Sequence, residues 1–380
     1  MNKPKSEIKV AVALSGGVDS SVTLALLKNE GYDATAIFME NWTNDSFKKY
    51  GYGASYTGCT TDQDKADAIR VASHLGIPFE VWNFEKEYQE QVMKYFFSEY
   101  KAGRTPNPDI ICNKEIKFGI FFDRAMGQGY DLVATGHYAR IKNGKLLKGT
   151  DPSKDQSYFL CTLGQKQIEH TLFPIGEYKK TQIRQLALRF YLPTAQKKDS
   201  QGICFIGKIS VADFLKTFIK GHPGDIVTTS GKVIGRHDGI EFYTIGQRHG
   251  IKIGGGLPYY VVSKNSVINE LVVALGENDP ALMASVLLTE KPIWTQGESP
   301  KFPLKADVVI RYHHAPASAL INKKGNGLEI TFDKPEKAVT PGQYAVFYKG
   351  DELIGSAVIS EARKIGSKEA SRLRPALAGL

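Results

Sequence analysis

The sequence predicts an α/β fold in which a doubly wound parallel sheet is followed by a small central domain and a C-terminal antiparallel β-barrel. Apolar runs and helical segments alternate through about residue 140, and glycines crowd together from about residue 210. After about residue 280, short alternating runs are separated by turns. Strands separated by helices form parallel sheets that bind ligands beyond their carboxyl ends. Regular short strands with frequent turns instead predict a barrel.

The first region begins with an apolar strand over 8–14 and a helix over 20–29 that ends at Gly31. Further strands are predicted over 33–39, 77–84 and 131–135, and further helices over 62–75, 86–102, 113–127 and 179–190. Asn143-Gly144 predicts a hairpin turn that still belongs to this domain. We therefore expect a first domain over 1–208, a Gly-rich domain over 209–278, a barrel over 279–362 and a flexible tail over 363–380.

Composition limits the class of protein. The chain has 380 residues, more than one hydrophobic core usually covers, and a formal net charge of +9 that suggests a polyanionic partner. It has four cysteines, and it has neither an apolar signal region nor a stretch long enough to span a bilayer. We therefore expect a cytoplasmic protein with free thiols and no membrane association.

The most informative motif is Ser15-Gly16-Gly17-Val18-Asp19-Ser20, which lies between the first strand and the first helix. Unpaired backbone N–H groups at a helix N-terminus favour an anion, and the two glycines allow positive φ and a close backbone approach. The motif lacks the Lys of a Walker loop. It indicates a phosphate-binding loop, and the alternative is a tight turn without a ligand. Asp19 could hold magnesium or only orient the loop.

Two cysteines lie in polar surroundings that favour a reactive thiol. Cys112 follows Thr105-Pro106-Asn107-Pro108-Asp109, where two prolines disfavour helix, so it would lie at the N-terminus of a helix that begins near residue 113. Cys204 lies in a loop with lysines before it and glycines on both sides. A helix N-terminus and nearby cations lower a thiol pKa. The alternative for both is an ordinary buried cysteine. Asp109 could be a general acid or base, or could only orient its loop.

Other candidate positions are weaker when taken alone. Cys161 is predicted to be buried, and Cys59 precedes a helix without a second supporting feature. No metal site is predicted, because the cysteines and histidines lack ligand spacing. His137 follows the strand over 131–135 and could either contact a substrate or cap the loop. Arg311-Tyr312 joins a phosphate-binding fork to a stacking ring, as RNA recognition requires, although such a pair is more often plain surface.

Several longer strings closely resemble the bacterial tRNA-specific 2-thiouridylases, and the resemblance extends from about residue 8 to about residue 360. The strings are Ser15–Ser20, Thr105–Gly119, Ala134–Tyr138, Lys154–Leu160, Lys198–Gly207, Tyr243–Arg248 and Thr340–Gln343. The resemblance implies a pyrophosphate-loop catalytic domain of the adenine nucleotide alpha hydrolase type, a small central domain and a C-terminal β-barrel. That organisation agrees with the three regions described above.

The same resemblance assigns roles to individual residues. It implies that ATP, with magnesium, binds at Ala13, Leu14, Ser15, Gly16, Gly17, Val18, Asp19, Ser20, Met39 and Gly136. Asn107, Pro108 and Asp109 would contact the target base, Cys112 would be the nucleophile, and Cys204 would carry the incoming sulfur as a persulfide. The remaining tRNA contacts would be His137, Lys154, Asp155, Gln156, Arg311, Tyr312 and Gln343.

The implied reaction is ATP-dependent 2-thiolation of the wobble uridine in tRNAs that read Lys, Glu and Gln codons. Adenylation of the uracil C2 oxygen would release pyrophosphate, and sulfur would then displace AMP. The partners would be tRNA and a sulfur donor, either a cysteine desulfurase or a sulfur-relay protein, and the protein would be a monomer. Two other functions fit the loop: a ligase that adenylates a small carboxylate or amide, and a non-catalytic RNA-binding or sulfur-carrier protein.

Overall fold

The computed structural model describes residues 3–49, 60–199, 210–251, 253–254 and 256–363. In chain order, the strands of the first 200 residues are β1 (Lys9–Ala13), β2 (Asp33–Glu40), β3 (Phe79–Asn83), β4 (Leu132–Ala134), β5 (Ala139–Lys142), β6 (Lys145–Lys148) and β7 (Thr171–Leu172). Five of them form one parallel sheet in the order β3-β2-β1-β4-β7. The predicted parallel sheet is therefore confirmed.

Helices alternate with these strands along the chain. They are α1 (Val18–Asn29), α2 (Asn44–Lys49), α3 (Thr61–Leu75), α4 (Glu85–Tyr88), α5 (Lys94–Lys101), α6 (Pro108–Ile111), α7 (Phe121–Gly127), α8 (Gln165–Glu169) and α9 (Lys180–Arg189). Two π-helical segments, Gln89–Met93 and Cys112–Ile120, join α4 to α5 and α6 to α7. Across the described ranges, no helix has the length and apolar character needed to cross a membrane.

Alternate side chains of β1 enter two different cores, so the sheet is covered on both faces. Val10 and Val12 pack in a cluster formed with α1, α3 and α9. Ala11 and Ala13 pack in another cluster, which is formed with α4 to α7. Because successive residues of a strand point to opposite faces, an almost wholly apolar strand is what a doubly covered sheet requires.

Most predicted helix ends agree with the structure, and one does not. The helix α3 ends at Gly76, whose φ of +60° places it in the left-handed region, as a C-terminal glycine cap requires. The prediction that helix resumes near residue 113 was wrong, because α6 begins at Pro108. Proline is tolerated at the first helical position, and Asn107 caps this helix through its side chain.

The described part of the central region contains an α-helix, the short 3-10 helix Ile240–Phe242 and a four-stranded sheet. Its elements are α10 (Val211–Phe218), β8 (Gly224–Thr228), β9 (Val233–His237), β10 (Tyr259–Asn265) and β11 (Glu270–Leu275), and the strand order is β10-β11-β8-β9. Aromatic rings attach this region to the first one. Phe214 and Phe218 of α10 pack on Phe97 of α5, with ring centroids 6.2 and 5.2 Å apart.

The C-terminal region is a closed antiparallel barrel, as predicted. Its strands are β12 (Met283–Thr289), β13 (Ile293–Trp294), β14 (Leu304–Val309), β15 (Ala317–Lys324), β16 (Gly327–Lys337), β17 (Tyr344–Lys349) and β18 (Glu352–Arg363). Six of them follow the order β12-β16-β15-β14-β17-β18, and β12 also pairs with β18 and closes the ring. Closure removes the unpaired edges that an open sheet would present.

The predicted hairpin at Asn143-Gly144 is present, and both turn residues have positive φ. Its strands β5 and β6 lie in the same sheet as the barrel, because Leu147 of β6 pairs with Glu352 of β18. The pairing of Arg140 with Asp351 supports the same contact. A hairpin that the sequence assigns to the first domain therefore extends the barrel sheet.

Candidate active site

The segment from Gly16 to Ser20, which follows β1 and includes the start of α1, forms an anion nest at the N-terminus of α1. Gly16 has a φ of +74°, and a Cβ atom there would lie 2.1 Å from the carbonyl oxygen of Asp64. The Ser20 hydroxyl accepts a hydrogen bond from the Ser15 backbone N–H at 3.2 Å and donates to the Gly17 carbonyl oxygen at 3.2 Å. The loop is therefore held open by its own side chains, and only glycine fits at position 16.

The carboxyl end of β4 lies against this nest. A Cβ atom on Gly136 would approach the Ser20 backbone nitrogen to 2.7 Å, so the backbone at Gly136 packs directly on the first turn of α1. Ala13 ends β1 and Met39 lies near the end of the neighbouring β2. The structure thus brings the predicted ATP-binding residues to one edge of the sheet, where parallel sheets bind nucleotides.

Asp19 is held by a network that the sequence did not reveal. Lys180 Nζ donates to its two carboxylate oxygens at 2.7 and 2.8 Å, and the Tyr138 hydroxyl donates to Oδ1 at 2.8 Å. The same ammonium lies 2.9 Å from Asp199 Oδ1. Asp199 also accepts from Arg184. Burial opposes ionisation of Asp199, but hydrogen bonds and charge from Lys180 and Lys154 lower its pKa. The nest is therefore bordered by positive charge that is paired with carboxylates.

A second lysine supports the other side of the loop. Lys197 Nζ donates to the Gly16 carbonyl oxygen at 3.1 Å and forms ion pairs with Asp64 and Asp67 at 2.6 Å each. Hydrogen bonds and charge from these carboxylates raise the pKa of Lys197, although burial opposes them. No contiguous motif marks Lys180 or Lys197, because each contacts the loop across more than 160 residues of sequence.

Cys112 lies in the second turn of its helix, not at the helix N-terminus. The expected first-turn position is occupied by Asp109, since the helix starts at Pro108 and Asn107 Oδ1 caps the Ile110 N–H at 3.1 Å. Cys112 opens the π-helical segment and is partly buried against the core. Asp109 and Cys112 are three residues apart, so both lie on the same side of the helix.

The surroundings of Asp109 favour its neutral form. Burial raises the pKa of the Asp109 carboxyl, and the nearby cation of Lys117 opposes this increase. Burial, together with the carboxylates of Asp155 and Asp109, raises the pKa of Tyr312 in the barrel to about 12. Burial of this kind favours the uncharged carboxyl, which is the form that can donate a proton.

His137 lies between the nest and the cysteine-bearing helix. Its side chain is only 8% exposed, and its ring faces Phe118 and Phe173 at centroid distances of 6.0 Å. Burial and the nearby Lys117 lower the pKa of His137 well below its usual value, so the ring is neutral. Its Nδ1 atom lies 2.6 Å from Thr135 Oγ1. Gly136 therefore contacts the nest, His137 contacts the cysteine-bearing helix, and Tyr138 contacts Asp19.

Several residues that are predicted to contact tRNA form hydrogen bonds or ion pairs within the protein. Asp155 accepts hydrogen bonds from the backbone of Gly149 and Ser157, and Gln156 accepts one from the backbone N–H of Tyr138. Lys154 pairs with Asp199 at 3.1 Å. No observation tests whether these side chains contact RNA, so that assignment stays a prediction.

The barrel side chains among these predicted contacts lie in two different environments. Tyr312 is partly exposed and packs its ring on Phe159 at a centroid distance of 4.3 Å. Arg311 Nη2 donates to Thr340 Oγ1 at 2.8 Å and to the Ile245 carbonyl oxygen at 3.3 Å. Gln343 is 7% exposed and donates to the carbonyl oxygens of residues 105 and 106.

Residues of both the hairpin and the barrel line a cleft of about 570 Å³. Asp155 and Tyr312 line it, so it lies between the two chain segments for which the sequence predicts RNA contacts. Its walls also carry the cations Arg140 and Lys148 and the ring of His313. Cations and rings of this kind bind phosphates and stack on bases.

The remaining cysteines divide into one described residue and two that lie outside the described ranges. Cys161 is fully buried, as predicted, and burial raises the pKa of its thiol to about 12. Cys59 and Cys204 lie outside the described residues. The predicted persulfide position at Cys204 therefore stays a prediction. A buried thiol with a high pKa is unreactive, so Cys161 is not a candidate nucleophile.

A parallel sheet with an anion nest at the end of β1 defines a nucleotide-binding α/β protein of the pyrophosphate-loop class. Family models match the chain in three consecutive parts. The description "tRNA methyl transferase HUP domain" matches residues 8–208, "tRNA methyl transferase PRC-barrel domain" matches 212–275, and "Aminomethyltransferase beta-barrel domain" matches 284–359.

Curated relatives match nearly the whole chain. The tRNA-specific 2-thiouridylase MnmA of Geobacillus thermodenitrificans is 46% identical over 374 residues, which cover 97% of this chain and 99% of the relative. The protein of the same name from Pseudomonas fluorescens Pf0-1 is 46% identical over 366 residues, or 94% of this chain and 96% of the relative. The chain therefore belongs to the family of tRNA-specific 2-thiouridylases.

A more distant solved structure is the U34-tRNA thiolase NcsA from Methanococcus maripaludis with its [4Fe-4S] cluster. It is 20% identical and covers 57% of this chain and 65% of its own, with a TM-score of 0.33. A likeness of this size is too small to support an argument about the site.

Proposed function

We propose that the protein replaces the C2 oxygen of the wobble uridine in tRNA by sulfur, in a reaction that consumes ATP. Family membership supports the reaction class. The structural observation that carries the proposal is the segment over 136–138, whose residues contact the nest, the Cys112 helix and Asp19 in turn. One short segment thus links a site suited to phosphates with a site that carries a cysteine and a carboxyl group.

The ATP phosphates would occupy the nest formed by Gly16 to Ser20. The fit is supported by Gly16, where a side chain would strike Asp64, and by the backbone of Gly136, which packs on Ser20. Asp19 is the described carboxylate best placed to hold a magnesium ion, which would offset the phosphate charge. Lys180 would then contact phosphate oxygens, because its ammonium group already lies beside the nest.

Uridine must be activated before sulfur can enter, because its C2 carbonyl is amide-like and a poor electrophile. The C2 oxygen attacks the α-phosphorus of ATP, pyrophosphate leaves, and the oxygen becomes part of an AMP leaving group. Asp109 is suited to exchange protons with the base, since burial raises its pKa. Neutral His137 borders the same region without adding charge.

Sulfur would come from a persulfide on Cys204. In one route, the terminal sulfur of the persulfide attacks C2 and expels AMP, and the Cys112 thiolate then attacks the Sγ atom of Cys204. In the other route, Cys112 attacks that Sγ atom first, and the hydrosulfide that leaves adds to C2 and expels AMP. Both routes yield 2-thiouridine, AMP and a disulfide between the two cysteines. An external thiol reductant must then supply two electrons to reopen that disulfide. Cys112 acts as the nucleophile in both.

The partners follow from this chemistry. tRNA would lie along the cleft lined by the hairpin and the barrel, whose walls include Asp155 and Tyr312 of the predicted tRNA-contact residues. The persulfide would be supplied by a cysteine desulfurase or a sulfur-relay protein. We place the protein in the cytoplasm, acting as a monomer on tRNAs that read Lys, Glu and Gln codons.

The test is a reconstituted reaction with unmodified tRNA, ATP, a persulfide-generating desulfurase and a thiol reductant. We expect 2-thiouridine, AMP and pyrophosphate to form together, and nucleoside mass spectrometry distinguishes exchange of oxygen for sulfur from the methyl addition named by the family models. AMP release without RNA would instead indicate a small-molecule ligase. No ATP cleavage under any of these conditions would indicate a carrier or binding protein.

A further inference from the structure

A tight turn of the barrel forms hydrogen bonds with the residues that immediately precede the Cys112 helix. This turn, Thr340-Pro341-Gly342-Gln343, lies between β16 and β17. Gln343 Nε2 donates to the Thr105 carbonyl oxygen at 2.9 Å and to the Pro106 carbonyl oxygen at 3.1 Å. The Thr105 N–H donates to the Pro341 carbonyl oxygen at 3.0 Å. The barrel thus satisfies three successive backbone polar groups of the catalytic domain.

The approach of the two backbones is close. Gly342 has a φ of +92°, and a Cβ atom there would lie 2.8 Å from the Thr105 carbonyl oxygen. The Gln343 side chain is 7% exposed and both of its amide hydrogens have acceptors in the protein. Buried amide donors of this kind fix the position of their acceptors, because a broken bond would leave polar groups unsatisfied.

The residues bonded to this turn immediately precede the reactive helix. Asn107 follows Pro106 and caps the Ile110 N–H, and Pro108 occupies the first helical position. Pro108 has no N–H group and a restricted φ, so little freedom remains between the turn and the helix. A displacement of residues 105 and 106 would therefore move Asp109 and Cys112 together.

The turn is itself clamped from the other side. Arg311 Nη2 donates to Thr340 Oγ1 at 2.8 Å, and it also reaches the Ile245 carbonyl oxygen of the central region at 3.3 Å. The hydroxyl groups of Thr105 and Thr244 lie 3.2 Å apart. All three regions of the molecule therefore meet at the start of the Cys112 helix.

We infer that Gln343 is a positioning residue that sets the Asp109 and Cys112 side chains, with Arg311 supporting the turn that carries it. This inference deepens the proposed function and differs from the RNA contact that the family resemblance predicts for both residues. Its basis is the direction of the bonds, since Gln343 donates into the catalytic domain and Arg311 donates into the turn and the central region.

The test compares Gln343→Met, which keeps side-chain length but removes both donors, with Gln296→Met as a matched control. Gln296 is exposed and donates to the Gly144 carbonyl oxygen in the hairpin, so its change also breaks a single side-chain-to-backbone contact. We expect Gln343→Met to lower kcat about 10- to 100-fold, because displacements near 1 Å can cost that much. The KM for tRNA should stay within about twofold in both variants.

A second measurement needs neither RNA nor ATP. The rate of Cys112 alkylation by iodoacetamide, resolved by peptide mass spectrometry across pH, should shift several-fold in Gln343→Met and stay unchanged in Gln296→Met. A higher KM for tRNA with unchanged kcat and unchanged alkylation would make Gln343 an RNA contact and overturn the inference. If wild type fails to thiolate tRNA, the proposed function fails while the alkylation comparison still tests positioning.

Thermal melting identifies a variant that does not fold. In that case Thr340→Val replaces Gln343→Met, because it removes only the hydroxyl that accepts from Arg311. We expect a smaller change in Cys112 alkylation in the same direction. An unchanged alkylation profile in whichever of the two variants folds would contradict the inference.

Discussion

The nest and the surroundings of Cys112 differ in the state of their titratable groups. Around the nest, Asp19, Lys180 and Lys197 each form ion pairs with partners of opposite sign. Around Cys112, burial raises the pKa of Asp109 and lowers that of His137, so both groups are shifted toward their neutral forms. In the proposed reaction we therefore expect the ion pairs of the nest to be exchanged for contacts with phosphate, and Asp109 to transfer protons.

The largest expected effect is a loss of thiolation without a loss of ATP binding. Cys112→Ser should lower 2-thiouridine formation by at least about 10³-fold, because a hydroxyl cannot replace the thiolate nucleophile. ATP binding at the nest should be unchanged. Single-turnover thiolation and equilibrium ATP binding are the two measurements. Cys161→Ala is the control, since that thiol is fully buried. Loss of ATP binding in Cys112→Ser would show that the two regions are not separable.

Asp109→Asn should lower kcat by about 10²- to 10³-fold if proton transfer passes through this carboxyl. The same change should alter stability with a definite sign. A raised pKa means that Asp109 stabilises the fold at low pH and that this contribution is lost as pH rises through the folded-state pKa. Denaturation at pH 5 and pH 8 should therefore show Asp109→Asn gaining stability relative to wild type at the higher pH. A gain at the lower pH only would contradict this pKa direction.

Lys180→Met tests the nest alone. Removing the ammonium group leaves Asp19 without its ionic partner and removes a cation that the phosphates could use. We expect the KM for ATP to rise about tenfold, which corresponds to about 1.4 kcal/mol. Lys166→Met is the matched control, because Lys166 pairs with Asp123 on the exposed surface. Equal KM values for ATP in both variants would contradict a role for Lys180 in nucleotide binding.

The smallest effect concerns His137. Its lowered pKa means that folding keeps the ring neutral, so stability is present above about pH 6.5 and is lost as pH falls toward the folded-state pKa. The slope contributed by this one residue cannot exceed about 1.4 kcal/mol per pH unit. Denaturation midpoints between pH 5 and pH 7 should fall less steeply in His137→Gln than in wild type. Parallel curves would show that another group carries the acid sensitivity.

The fold was predictable because its signals are local. Apolar periodicity located the strands of the first sheet, and glycines such as Gly76 located helix ends. The start of the Cys112 helix was missed because two prolines were interpreted as helix breakers. Pro108 is instead compatible with the first helical position, and a search for an N-cap such as Asn107 would have found it.

The site was predictable only where a motif is contiguous. The Ser15–Ser20 loop could be found because its glycines and serines are adjacent in sequence. Lys180 and Lys197 could not, because each reaches the nest across more than 160 residues and no pattern marks them. The inward direction of the Gln343 amide was equally hidden, since sequence does not reveal which neighbour a buried donor finds.

The hairpin formed by β5 and β6 constrains how the molecule can be divided. Because β6 hydrogen-bonds to β18, a fragment cut between the first and central regions would expose an unpaired strand at its surface. Such a strand invites pairing with other chains, so the isolated fragment should aggregate more readily than the intact polypeptide. Gene fusions or exchanges that replace the barrel would need to preserve this pairing, because it joins the hairpin of the first region to the barrel sheet.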